Sequence, residues 1–214
     1  MTTKTFKIIL GSASPRRREL LGEITKDFTV VTADIDESPL EGEAPLDYTL
    51  RLAHGKAIKV AEILAKTALK PDEKDKAGPF IIIGADTTVE LDGTLYGKPT
   101  DREDAARMLG KLSNNTHSVV TAFAVLDTTT DKCLIRAVRS LVTMREINEE
   151  EIAEYVATGE PDDKAGAYAI QGGAAKFIES IQGSYSNIVG LPVEEVRDAL
   201  KDIRQSPALP FTNN

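Results

Sequence analysis

Phe80-Ile81-Ile82-Ile83 is the stretch that most constrains the fold. Four consecutive large apolar residues, β-branched for the most part and without polar alternation, read as a strand buried on both faces. Gly84-Ala85-Asp86-Thr87-Thr88 follows at once. An ionisable group directly after a buried strand is expensive to place unless it is solvated, paired or bound to a metal. Asp86 is therefore the first candidate for chemistry, with a turn-capping aspartate as the plain alternative. Residues 89–96 then read as a hairpin turning on Asp92-Gly93. The hairpin delivers Gly97-Lys98-Pro99, where Pro99 stiffens the exit and Lys98 can meet an anion.

A second strand, residues 7–10, leads into Gly11-Ser12-Ala13-Ser14-Pro15-Arg16-Arg17-Arg18 and a helix over 15–25. The first N–H groups of a helix have no internal partner, and the helix dipole favours an anion there. Small residues let the backbone approach a ligand, and Pro15 suits the first helical position. Three arginines at a helix start oppose the dipole unless an anion sits among them. Ser12 and Ser14, together with Arg16, Arg17 and Arg18, are thus candidate contacts for an anion. A solvated basic turn after a Ser-Pro helix start is the competing reading.

Residues 28–31 form a short strand ending in the acidic turn 33–38, at a strand end where open α/β sheets commonly place ligand groups. Glu37 in that turn is a candidate metal ligand, or part of a solvated Asp/Ser turn. Pro45–Ala68 carries Leu46, Leu50, Ala53, Ala57, Val60, Ala61 and Leu64 at helical spacing, with Lys56 able to project toward a site or, as a lone helix lysine usually does, into solvent. Residues 70–78 read as a loop, and 101–112 as a helix capped by Asp101. Residues 117–126 and 134–145 read as two long antiparallel strands, with His117 structural. A helix over 149–157 precedes a glycine-rich loop, 160–173, shaped around something. Gln171 in that loop offers both an amide donor and an acceptor, the pattern needed to read a base edge. A strand over 177–181, a second loop over 183–192 and a helix over 193–203 complete the chain, with a poorly ordered tail from 205.

The formal net charge of −8 argues against broad nucleic-acid binding. It leaves room for a small phosphorylated ligand held by a local basic cluster, since charges beyond about 8 Å are screened. An acidic protein holding such an anion calls for a divalent cation as well. Cys133, the single cysteine, allows no intramolecular disulfide and reads as a small buried apolar residue. No run is long enough to span a membrane and no secretory leader is visible, so a reducing, cytoplasmic setting is expected.

The motifs SASPRRRELL, DIDES, GADTTV, GKP, THSVVT and GEPDDKAGAYAIQGGAAKFIESIQGSYSNIVGLP occur in the order seen in the Maf family. The resemblance covers residues 8–203, and its many spaced motifs make it specific. These are nucleoside triphosphate pyrophosphatases, first named as septum formation inhibitors. The chain resembles most the branch acting on dTTP and UTP, with GADT and GAYxIQG. The resemblance implies an α/β fold, an elongated mixed central sheet flanked by helices, of the Maf and inosine-triphosphatase type. It also implies two lobes with a cleft between them, within one domain over residues 1–204, and a homodimer. It assigns the proton acceptor to Asp86, links Arg16, Thr87 and Gln171 to base preference, and places Ser12, Arg17, Lys56, Lys98 and Glu37 at other cleft positions. Mg²⁺ or Mn²⁺ on Glu37 and Asp86 would activate a water and neutralise phosphate charge. Two departures are visible: Asn114-Asn115 stands where the family usually has a glycine-containing turn, and Arg18 adds a charge at a variable place.

A different class stays open, a nucleotide-binding regulator of cell division with little turnover. A base beside a metal favours an enzyme. A purely structural module leaves the polar motifs unexplained.

Overall fold

The computed structural model describes residues 6–68 and 78–205. The loop read over 70–78 and the C-terminal tail lie outside them, save for residues 78 and 205. The elements run β1 (Lys7–Gly11), α1 (Pro15–Ile24), β2 (Phe28–Val30), α2 (Pro45–Ala68), β3 (Phe80–Leu91), β4 (Thr94–Tyr96) and α3 (Arg102–Leu112). There follow β5 (Thr116–Asp127), β6 (Lys132–Met144), α4 (Glu149–Ala157), three short 3₁₀ turns, β7 (Ile178–Gln182), α5 (Tyr185–Val189) and α6 (Val193–Gln205). Among the described residues seven strands make one sheet in the order β2-β1-β3-β5-β6-β7, with β4 beside β3. β1 runs parallel to both its neighbours, and the other pairings are antiparallel, so the sheet is mixed.

β3 holds the two lobes together. Its first half pairs with β1, its last residues with β4, and nearly its full length with β5. Around the first half, Ile81, Ile83 and Ala85 face α1 and α6, while Phe80 and Ile82 face α2. Around the second half, Val89 and Val119 pack with α3, α4 and the 3₁₀ turns in a separate core. The long apolar run buried on both faces is what this layering demands. Gly84 and Asp86 do not end the strand, as expected from the polar GADTT stretch, but lie inside it. The physical reason is α2. An added Cβ on Gly84 would stand 2.3 Å from the Ala53 carbonyl oxygen and 2.7 Å from the Ala57 nitrogen, so only glycine lets the helix lie this close.

Because β1 stops at Gly11 opposite Gly84, and the antiparallel β4 reaches only as far as Tyr96 opposite Val89, residues 85–88 of β3 have no partner strand on that side. This opening in the sheet is where the cleft forms. The Asp92-Gly93 hairpin turn is as expected, both residues having positive φ. Leu46, expected on the inner stripe of α2, is exposed; Leu52, Tyr48 and Thr49 face inward with Ala53, Ala57 and Val60. Cys133 is only partly buried, in β6. Among the described residues no helix is long and apolar enough to cross a membrane.

Candidate active site

A cleft of about 490 Å³ opens at the gap in the sheet, walled by the start of α1, the acidic turn, α2, β3, the Lys98 segment, the loop before β7 and the end of α5. On the α2 side the Lys56 ammonium lies 2.6 Å from Asp86 Oδ1 and 2.7 Å from Glu37 Oε1. Lys98 approaches the other Glu37 oxygen at 3.9 Å. Burial raises the pKa of Glu37, but its bond to Lys56 and the charges of Lys98 and Arg17 outweigh this and leave it lowered. Tyr48 donates to the Glu37 carbonyl oxygen at 2.8 Å and so holds the acidic turn against α2. Burial, with the negative charges of Asp86 and Glu37, pushes the Tyr48 phenol up to about 12.

On the α1 side Ser14 caps the helix, accepting from the Arg17 N–H. The Arg17 side chain turns back into the cleft. Its Nε donates to the Gly190 carbonyl at 2.8 Å, Nη1 to Ser12 Oγ at 3.2 Å and Nη2 to Thr87 Oγ1 at 2.9 Å. Burial lowers its pKa, while the carboxylates of Asp86 and Glu37 act in the opposite sense. Ser12 Oγ also accepts from the Ser14 N–H at 3.3 Å, so both its lone pairs are engaged and its hydrogen is free for a ligand oxygen. Behind Thr87, Thr121 Oγ1 lies at 2.9 Å and donates to the Asn187 carbonyl at 2.8 Å.

The family model described as Maf-like protein matches residues 7–203. The chain belongs to the Maf family. It is 50% identical over 200 residues to a dTTP/UTP pyrophosphatase of Citrifermentans bemidjiense, covering 94% of this chain and 97% of that one. It is 52% identical over 194 residues to a dTTP/UTP pyrophosphatase of Geotalea uraniireducens, covering 91% and 93%. The solved Staphylococcus aureus Ham1 protein aligns with 92% of the chain and 99% of its own, at 14% identity and a TM-score of 0.48. That is too distant a likeness to bear on the site.

Of the positions carried over from Maf motifs, Ser12, Ser14, Arg16, Arg17, Glu37, Lys56, Asp86, Thr87 and Lys98 all border this one cleft. Gln171 does not. It sits exposed on a turn, with its neighbours Tyr168, Ala169 and Ile170 lining the cleft instead. Tyr155 and Glu160 hold that turn from behind. Tyr155 Oη accepts from the Ala169 N–H and donates to Glu160, whose other oxygen accepts from the Gly173 N–H. Gly172 has a φ of +150°, and a Cβ there would strike Glu160. Of the three arginines, Arg18 is exposed and off the cleft, since only the residues over the first turn's inner side can turn back. His117, read as structural, is buried in the second lobe, 2.6 Å from the Tyr168 hydroxyl.

Among the described residues no group of three or more His, Cys, Asp or Glu is placed to hold a metal. Glu37 and Asp86 nevertheless converge on one cation, the Lys56 ammonium. Mg²⁺ is usually bound through one or two carboxylates together with substrate phosphates. The pair fits an ion that arrives with a triphosphate. Tyr48, Thr121 and Asn187 were missed from the sequence. The motif THSVVT, which ends in Thr121, and the Ser-Tyr-Ser-Asn run before Gly190, read only as a loop, were the local signals.

Proposed function

We propose that the protein hydrolyses dTTP and UTP to the nucleoside monophosphate and pyrophosphate, clearing them or related pyrimidine triphosphates from the nucleotide pool. The observation that carries this reading is the convergence of Arg17, Lys56 and Lys98 with Asp86 and Glu37 in one cleft of an overall acidic chain. Relatives at about half identity, named as dTTP/UTP pyrophosphatases, support the substrate class.

The attacking water needs a base, and Asp86 is the carboxylate at the opening in the sheet. Lys56 occupies Asp86 Oδ1, which leaves Oδ2 to orient a water and accept its proton. Attack at the α-phosphorus breaks its bond to the bridging oxygen and releases pyrophosphate. Arg17, Lys56 and Lys98 stabilise the negative charge that builds on the leaving group. Ser12 offers its free hydrogen to a phosphate oxygen. Mg²⁺ or Mn²⁺ held by Glu37 and Asp86 would lower the pKa of a bound water and neutralise phosphate charge. Thr87, Arg16 and, after movement of its turn, Gln171 would read the base.

Product analysis with a panel of triphosphates and either metal tests the proposal. UTP giving UMP and pyrophosphate, with UTP and dTTP ahead of CTP and the purine triphosphates, is the expected result. Release of UDP and phosphate would sink the site of cleavage, and a panel won by CTP or a modified GTP would sink the substrate. Tight binding without turnover would favour the regulator.

A further inference from the structure

The hydroxyls behind the cleft form a chain whose direction can be worked out. The Asn187 backbone carbonyl can only accept, so the Thr121 hydroxyl at 2.8 Å donates to it. A hydroxyl has one hydrogen. Thr121 can therefore only accept from Thr87, 2.9 Å away, and the Thr87 hydrogen is directed backward into the protein. Arg17 Nη2, which cannot accept, donates to Thr87 Oγ1 at 2.9 Å. One lone pair of Thr87 remains, on a residue that lines the cleft.

The acceptor at the end of the chain is fixed. Asn187 is fully buried, and its side-chain Oδ1 accepts from the Thr121 N–H at 3.1 Å. Its Nδ2 donates to the Val119 carbonyl at 3.1 Å and to Ser140 Oγ at 2.9 Å. Neither amide flip nor movement of the Asn187 backbone is open without losing these bonds.

We propose that Thr121 is a specificity-determining residue acting through Thr87. By committing its own hydrogen to Asn187, it makes Thr87 meet the nucleotide as an acceptor only. The matching ligand is a base whose ring nitrogen carries a hydrogen, the imide N–H of uracil or thymine. Cytosine has an unprotonated acceptor at that nitrogen and would face a lone pair. The proposal rests on the pyrimidine triphosphate reading above.

The test compares kcat/KM for UTP and CTP in the wild type, Thr121→Val and Thr121→Ser. In Thr121→Val the Thr87 hydrogen is released and can turn to the ligand, so the UTP-to-CTP ratio should fall about tenfold, the worth of one hydrogen bond. Thr121→Ser keeps the hydroxyl and should keep the ratio. Mere structural damage would slow both nucleotides alike. An unchanged ratio in Thr121→Val overturns the proposal, as it would if the donor met by Thr87 were a ribose hydroxyl. So does an equal drop in Thr121→Ser. Should Thr121→Val not fold, Thr87→Val carries the test: UTP must lose at least about tenfold more than CTP, and equal losses refute it. Failure of the wild type to prefer UTP would strike the pyrimidine reading instead.

Discussion

Gly84→Ala places a methyl group where α2 and β3 leave no space. Its Cβ would lie 2.3 Å from the Ala53 carbonyl oxygen, where ordinary contact begins at 3.4 Å. The obstructing atoms are backbone and cannot rotate away, so α2 must retreat by roughly 1 Å in a close-packed interior. Overpacking of this kind costs about 1–3 kcal/mol, and a rigid backbone clash belongs at the upper end, about 3 kcal/mol. For a chain of this size that lowers Tm by roughly 6–12 °C. Lys56 sits on the same turn of α2 and would move with it, away from Asp86. Misplacing a catalytic group by about 1 Å can cost on the order of 10² in rate. Thermal melting and kcat on UTP, measured on the same preparation, check both effects. A variant melting within about 2 °C of wild type with kcat within about twofold would refute the reasoning.

Asp86→Asn should lower kcat on UTP by about 10²–10³ or more while leaving the melt nearly unchanged, because Lys56 keeps Glu37 as partner. A near-normal kcat removes Asp86 from the mechanism. His117, driven by burial to a pKa of about 4, makes stability depend on pH. Its folded pKa lies below the unfolded value, so the unfolded chain takes up the proton first as pH falls. The contribution is full above about 6.5 and is lost between there and about 4, amounting to about 2 kcal/mol at pH 5. The Arg-paired Glu43 and Glu151, both held near 2, lose their contributions only below 4.5. Urea unfolding at pH 8 and pH 5 should show the difference in wild type and not in His117→Gln. The same slope in both proteins would discount His117.

Much of the fold was legible because its signals are local. The bounds of α2, the strand before α1, the Asp92-Gly93 hairpin and the Asp101 cap each follow from a few adjacent residues. The errors arose where distant packing overrode local pattern. The polar GADTT stretch looks like a strand end, yet α2 against Gly84 and Lys56 against Asp86 keep it inside β3. Leu46 fits the helical stripe but is exposed in the first turn of α2. The short helix α5 was read as loop, since five residues carry no periodicity to detect. Helix-start chemistry treats Arg16, Arg17 and Arg18 alike, and it is the tertiary contacts at Ser12, Thr87 and Gly190 that show how Arg17 is held.

Residue order alone was sufficient to specify the buried strand, the anion-favouring helix start and the family motifs, because propensity, capping and periodicity act over a few neighbours. It could not specify which charges meet. Lys56 and Asp86 are 30 residues apart, and Arg17 and Gly190 are 173 apart. Their meeting depends on β1 and β4 leaving the middle of β3 uncovered and on α2 lying flush against Gly84. The direction of the Thr87 hydrogen is likewise a property of the folded chain, since it is imposed by a backbone carbonyl that reaches Thr121 only through tertiary packing.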